Sequence, residues 1–432
     1  MRDLQEAAQR VQTLLSEKGA QQFQFTVAET EKQELNTENT AFTLFRTIFN
    51  SSVSVTVIQD GKKGAASGND LTDEGLEKVA DDAMTGAESS MPDEANAIAE
   101  AQAPETFHAG PYEAQLERFY DRLTEFLEDV GHKYPKVKIL QLIADHVKEH
   151  VLYQNSNGTR FEDFSGVYHV TLEMSASDGE RTTGLDYVEI ATVDLDTPFM
   201  EQGNIAAHLA DTERSLIPAE IPDKFEGTVV FTPDCLGSFI YMLLSNYAMN
   251  SVILDGTSQW LNKLGQQVAS EKVTMRLTTQ DDRIPLTSRF TEDGYKAENV
   301  TILDRGVLKN HILNLYIARK TGRPVTKNTG FDLVMEPGET PVKDMIASIK
   351  KGLIVGGFSG GEPGTNGEFS GVAKNSFYIE NGQIKGAVTE TMINGNLEKV
   401  FQNVSAISKE LVCDGSTVLP YLACEGIVIS GK

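Results

Sequence analysis

Cysteine, tryptophan and basic charge are all scarce in this chain of 432 residues: 3 Cys, 1 Trp, and 38 Lys plus Arg against 63 Asp plus Glu. Cys235, Cys413 and Cys424 are odd in number and without C-x-x-C spacing. That excludes a disulfide framework and a cysteine-rich zinc site, and points to a reducing compartment. The formal charge of -25 repels phosphate backbones, and Lys62-Lys63 and Lys350-Lys351 are isolated pairs rather than a basic patch, so no nucleic-acid partner is expected. The longest strongly apolar run, Phe239 to Leu244, is far short of the roughly 20 residues of a membrane span. No apolar stretch follows the single Arg near the N-terminus, so no signal peptide is visible and a cytoplasmic protein is expected.

What is present suffices for packed cores: 40% of residues are hydrophobic and 8% aromatic. The length favours two domains. Leu4, Ala7, Ala8, Val11, Leu14 and Leu15 recur at helical spacing before Gly19. Phe23, Phe25 and Val27, then Val53, Val55 and Val57, switch to strand alternation, and Asp60-Gly61 is a hairpin turn. Thr72 caps a helix that carries Leu76, Val79, Ala80, Ala83 and Met84. After an acidic, proline-punctuated surface excursion from Ser89 to Pro111, a helix carries Leu116, Phe119, Tyr120, Leu123, Phe126, Leu127 and Val130 on one face and ends at Gly131.

Strands are expected over 138–144, 146–154, 164–174 and 182–192, a helix over 204–215, and a linker at Pro218 to Pro222. The second half opens with a buried strand at 228–231, then Thr232-Pro233 starts an apolar helix running to about Val252. Beyond it, glycines punctuate short strands. Without a regular βαβ alternation, the fold class is α+β, two domains (1–222 and 223–432) with mixed, largely antiparallel sheets and packed helices.

Three catalytic signatures fail on local structure. His146-Val147-Lys148-Glu149-His150 matches H-x-x-E-H, but it runs into a hairpin at Asn157-Gly158 and reads as strand. On a strand those histidines lie roughly 13 Å apart, too far to share a zinc. Gly357-Phe358-Ser359-Gly360-Gly361 matches G-x-S-x-G, yet the following Glu362-Pro363-Gly364 cannot continue the required helix. Asp281-Asp282 with Glu292-Asp293 forms an acidic group, but solvated turn carboxylates are commoner than a cation site, and Gly294 marks a turn.

More specific information lies in ordered blocks: Asp281-Asp282-Arg283, Phe290 to Asp293-Gly294, Ile302 to Gly306-Val307-Leu308, Gly364-Thr365-Asn366-Gly367-Glu368-Phe369-Ser370-Gly371, and Tyr378 to Ile384. Asn394-Gly395-Asn396-Leu397 and Gly426 to Gly431 follow. These blocks resemble the TldD/PmbA family, once described as modulators of DNA gyrase, over about residues 225–432. The resemblance implies a PmbA/TldD-like fold. TldD-type members carry H-E-x-x-x-H on the helix of this half; Tyr241, Met242 and Asn246 stand at those positions here. Cys413 falls near the cysteine ligand of that branch.

The chain therefore resembles the TldE/PmbA branch. The resemblance implies no cofactor in this chain, zinc in a TldD-type partner, a homodimer when isolated, and a noncatalytic role in cleaving peptides and unfolded small proteins. The segment 356–371, with Gly357, Ser359, Gly360, Asn366 and Ser370, is then a peptide wall, a dimer contact or an ordinary surface loop. A homo-oligomeric peptide-binding protein and a self-sufficient hydrolase with an unfamiliar site are the rival readings.

Overall fold

A computed structural model describes residues 3–221 and 223–431. Two sheets organise them. The first has seven strands: β1 (Gln22–Glu38), β2 (Ala41–Gln59), β3 (Lys62–Gly68), β4 (Glu105–Ala109), β5 (Val137–Asn155), β6 (Arg160–Ala176) and β7 (Asp186–Thr192). Their order is β3-β2-β1-β5-β6-β4, with β7 also on β6. All pairs are antiparallel except β4 with β6. The Asp60-Gly61 turn joins β2 to β3 with both residues at positive φ, 50° and 75°, the geometry a two-residue hairpin requires.

Four helices pack on this sheet: α1 (Leu4–Glu17) buries the whole predicted stripe, α2 (Asp73–Ser89) and α3 (Leu116–Lys133) most of theirs, and α4 (Ile205–Arg214) buries Ile205, Leu209 and Thr212. The Asp3 and Thr72 side chains accept from first-turn amides of α1 and α2. Valines 53, 55 and 57 join α1 and α2 in one core, and Tyr168, Val170 and Leu172 join α3 and α4 in another.

Several expectations need correction. The expected strands 138–144 and 146–154 are one strand, β5, because Asp145 is buried in ion pairs with Lys32 and His169 rather than marking a break. α3 passes through Gly131 to Lys133, and its Leu116 and Tyr120 stay exposed. The excursion 89–111 is not wholly superficial: Ala95, Ile98 and Ala99 are buried, and its last residues form β4. The expected strand 182–192 begins only at Asp186. The expected linker is strapped down, Ala219 donating to the Ala387 carbonyl at 2.7 Å. Its Pro222 lies outside the described residues.

The second sheet has thirteen strands. Its centre is β8 (Phe225–Phe231), parallel to Lys351–Val355 on one side and antiparallel to Val418–Ser430 on the other. Against it lies α5 (Pro233–Tyr247), whose Leu236, Phe239, Ile240, Leu243, Leu244 and Tyr247 are all in the core. This helix ends five residues before the expected Val252: the chain turns at Ala248, whose carbonyl accepts from Ile312, and a short helix Asn250–Leu254 follows.

An ion cluster, buried at Asp186 and open to solvent at Asp234, ties the two halves together. On α4, His208 bonds Asp186 of β7 through Nδ1 at 3.0 Å and Asp234 of α5 through Nε2 at 3.3 Å. Thr212, Asn204 and Asn375 complete the carboxylates' hydrogen bonds. Burial alone would depress the imidazole pKa, but the two carboxylates override it and raise it to about 10. The folded pKa thus exceeds the unfolded value of about 6.5. The cluster's stability contribution is full below that unfolded value and is lost as pH rises towards 10. Denaturant titrations should show unfolding free energy falling across this window. His208→Ala should remove that slope and cost about 1–2 kcal/mol at neutral pH, since it leaves the buried Asp186 carboxylate without its cation while Asp234 reaches solvent.

Candidate functional site

α5 is apolar on most of its circumference, and the residues it leaves outside the core line a cleft. Thr232 caps it and Pro233 fits its first turn. With its apolar faces packed on the second sheet, Gly237, Ser238, Tyr241 and Met242 face the segment 358–362 across an open space of about 550 Å³. Phe331 and Phe358 supply its aromatic walls. The Tyr241 ring, 53% exposed, meets Phe331 edge-on at 5.6 Å.

The opposite wall is the short strand Gly357–Gly360, which carries Ser359 and pairs only with Glu368–Lys374. Its other edge has no strand partner among the described residues. Close packing constrains Gly360, where a Cβ would lie 2.7 Å from the Ser370 carbonyl oxygen, whereas Gly357 has room for one. The loop beyond is pinned from both ends. Asn246 donates to the Gly364 carbonyl at 3.0 Å, and Asn396 donates to the Asn366 carbonyl at 2.7 Å. Gly367 has φ +80° and sits where a Cβ would strike the Tyr247 hydroxyl, so only glycine fits. Ser370 lies on the neighbouring strand and bonds Asn394. Ser359 and Gly360 therefore share the cleft with Tyr241 and Met242, while Asn366 and Ser370 brace the loop behind it.

The side chains at the three helix positions do not fit a zinc ion. A phenol, a thioether and an amide are not a zinc ligand set. The geometry disagrees as well. α5 is an unbroken α-helix, on which positions five apart diverge by about 140°. Tyr241 accordingly faces Phe331 while Asn246 faces Gly364. Burial pushes the Cys413 thiol up to about 11, and it donates to the Arg283 carbonyl at 3.1 Å. No group of three or more His, Cys, Asp or Glu among the described residues is placed to hold a metal.

The other predicted residues are scattered. His146 and His150 lie on β5, the first bonded to the Pro111 carbonyl and the second to Glu162. Asp281 is tied to Arg283, which holds its carboxyl below the usual range, and Asp282 lines a separate surface hollow. Asp293 stands elsewhere, accepting from the Leu315 amide at 2.7 Å, with its carboxyl raised by burial. The four acidic residues therefore make no common site.

Of the family-motif residues, Asp293 and Gly294, with the neighbouring Phe290, instead join the halves. Phe290 packs on Phe107, Tyr153 and Phe161 of the first sheet. Tyr153 donates to the Asp293 carbonyl at 3.1 Å, and Gln102 to that of Gly294 at 2.6 Å. A Cβ on Gly294, which has φ +85°, would lie 2.0 Å from the Tyr153 hydroxyl. Gly306, at φ +75°, completes a tight turn against the Ala269 carbonyl. Sequence reasoning missed Phe331 and Ser238 in the cleft; neither stands in a motif, and only the tertiary path of the chain brings them there.

Comparisons with known proteins agree with this architecture. The family model described as PmbA/TldA metallopeptidase C-terminal domain matches residues 225–431, and the one described as PmbA/TldA metallopeptidase domain 1 matches residues 27–87. The chain is similar to metalloprotease PmbA of Escherichia coli O157:H7, 23% identical over 399 residues, covering 88% of this chain and 87% of that protein. It is also similar to a zinc metalloprotease TldD homolog of Saccharolobus solfataricus, 23% identical over 218 residues, 47% of this chain and 49% of the relative. Against several such curated relatives the chain spans about half their length. In fold it is similar to the crystal structure of TldE from Thermococcus kodakarensis, with a TM-score of 0.83, 19% identity and coverage of 98% and 100%. The sequence blocks lie within the span of the C-terminal family model, a second model of the same family matches part of the first half, and the chain belongs to the TldD/PmbA family.

Proposed function

We propose that this chain is a noncatalytic, TldE/PmbA-type subunit, built of domains 1–222 and 223–432. In this reading it is a homodimer when isolated and pairs in the cytoplasm with a zinc-bearing TldD-type subunit in a metallopeptidase that acts on peptides and unfolded small proteins. The observation that carries the reading is the face of α5: Tyr241, Met242 and Asn246 offer neither an imidazole nor a general-base carboxylate, and they diverge around the helix.

Peptide hydrolysis needs an activated water or nucleophile and a stabiliser for the oxyanion. Ser359 lies on a strand edge, with no helix N-terminus behind it. Cys413, its thiol pushed up by burial, is bonded to the Arg283 carbonyl and has no histidine among the described residues within hydrogen-bond contact. What the cleft offers is binding. The unpaired edge of Gly357–Gly360 presents backbone donors and acceptors to an extended chain, whatever its sequence, and Phe331, Phe358 and Met242 provide apolar contact.

The purified chain alone is expected to leave unfolded peptides intact. Mixed with a TldD-type partner it is expected to support cleavage that a chelator abolishes. Chelator-sensitive cleavage by this chain alone would overturn the reading.

A second prediction concerns metal. Elemental analysis should find no stoichiometric zinc in the wild-type chain. The variant Tyr241→His/Met242→Glu/Asn246→His should also fail to acquire a tight site, because the positions diverge. It should lose about 2 kcal/mol, since Met242 is buried and a carboxylate there lacks a partner. One tightly held zinc per wild-type chain, by titration calorimetry or elemental analysis, contradicts the assignment.

A further inference from the structure

A chain with 63 Asp plus Glu has carboxylates to spare, and its arginines use them. Those among the described residues are ion-paired with an Asp or Glu, with few exceptions. The exceptions are Arg319, which holds the Glu94 and Ala95 carbonyls, Arg323, which bonds Asn262, and Arg289. Arg289 is half-buried and makes one bond, from Nη1 to the Thr287 hydroxyl at 2.8 Å. Its Nε and Nη2 have no partner among the described residues. That leaves free an edge of the guanidinium that matches a carboxylate's two oxygens. Arg283 shows the same edge in use: its Nε and Nη2 donate to the two oxygens of Asp281 at 2.7 and 2.6 Å.

Both arginines line one open hollow of about 790 Å³, bounded by the segment 279–289 and by Val193 just beyond β7. Asp281 neutralises Arg283 there, and Arg289 is the cation left over. The first sheet does not supply its partner. Burial raises the Asp163 carboxyl on β6 against the pull of the Arg289 charge, and the Asp163 Oδ1 has no hydrogen bond. No ion pair forms between the two. The hollow is also tied to the cleft on α5. Phe331 walls the cleft, and its neighbour Asp332 fixes Ser288, the residue before Arg289, by accepting from its amide and hydroxyl, both at 2.7 Å.

We propose that Arg289 binds a carboxylate of the peptide through its free Nε–Nη2 edge, with the hollow receiving the residue that carries it. The proposal rests on the peptide-binding reading above and adds a fixed point to it. One unpaired cation selects a singly charged, planar anion. A phosphate dianion would bring excess charge beside Asp282, which lines the same hollow, in a chain of charge -25. Every peptide with a free C-terminus carries such a carboxylate, and Asp or Glu side chains share the chemistry. The anchor supplies what the cleft lacks. Backbone bonds along Gly357–Gly360 accept an extended chain at any register, because every residue offers the same donor and acceptor. A charge held at one point fixes both the register and the direction of the peptide.

The test uses the full chain and titration calorimetry with N-acetyl-Ala-Ala-Phe as the free acid, its C-terminal amide, and N-acetyl-Ala-Glu-Phe amide. The free acid should bind wild type roughly tenfold more tightly than the amide, or better, as a charge-assisted pair provides. Arg289→Gln should erase that preference and leave the amide's affinity and the far-UV circular dichroism spectrum unchanged. Arg289→Lys, which keeps the charge and loses the fork, should retain only part of the preference. Arg323→Gln removes a second arginine without a carboxylate partner and should change nothing. If the glutamyl amide binds like the free acid, the site takes any carboxylate; if it binds like the plain amide, the site takes the chain end. Wild type that binds acid and amide alike overturns the proposal and leaves the reading of the cleft standing. A preference that survives Arg289→Gln, or that Arg323→Gln also removes, overturns it too. If no peptide binds, the proposal and the reading of the cleft fall together.

Discussion

The burial of α5 in the second sheet is the constraint on which the cleft depends. Phe239, Ile240, Leu243 and Leu244 are each fully buried, and side chains of this kind contribute about 1.5–3 kcal/mol apiece relative to exposure. That packing fixes the helix's rotation, and rotation decides which residues can meet a ligand. Tyr241 and Ser238 are turned outward, Met242 lies at the margin, and Asn246 is left to brace the glycine loop. The same helix is held to the first half through Asp234 and His208. One element thus links the interdomain ion cluster, the larger core and the cleft.

Much of this was legible in the sequence, and the illegible part has physical causes. Helices α1 and α2 announce themselves by period, cap and closing residues, because their stability is largely local in pattern. The long strands were read too short. β1 continues through Glu29 to Glu38, where alternation is hidden by Lys32 and Glu34, which pair with each other, with Asp145 on β5 and with Arg46 on β2. Burial raises the carboxyl groups of Glu149 and Asp163 on that sheet, so charged letters there do not mean solvent. The helices Leu315–Thr321, Val342–Ser348 and Leu397–Gln402 are two turns or fewer, too short for a period to declare itself. In the cleft, Tyr241, Met242 and the glycine strand could be nominated from a motif, but Phe331 could not.

The blocks that made the family visible perform a different task from the one a family name suggests. Phe290, Asp293 and Gly294 form the turn by which the second half docks on β5 and β6, and Gly306 closes a hairpin whose neighbour is the Ala269 carbonyl. Each demands its residue for steric reasons: a side chain at position 294 or 306 would collide with a hydroxyl or a carbonyl at about bonding distance. Such positions tolerate little change whether or not the chain does chemistry. Resemblance built on them transmits the fold and is silent about catalysis.

Chemistry must therefore be read where the fold leaves freedom. Along α5 the buried positions are set by packing, whereas Tyr241 and Asn246 are constrained only by one ring contact and one hydrogen bond. A family scaffold can lose or gain an imidazole at such positions without disturbing the core beneath. It cannot as easily alter Gly360 or Gly367, where the Ser370 carbonyl and, at positive φ, the Tyr247 hydroxyl stand in the way of a side chain. The glycine wall is a requirement of the architecture, and reactive groups facing it are an option the architecture permits. A subunit with the wall and without the reactive groups can still guide an extended peptide, which is the division of labour that a paired assembly makes possible.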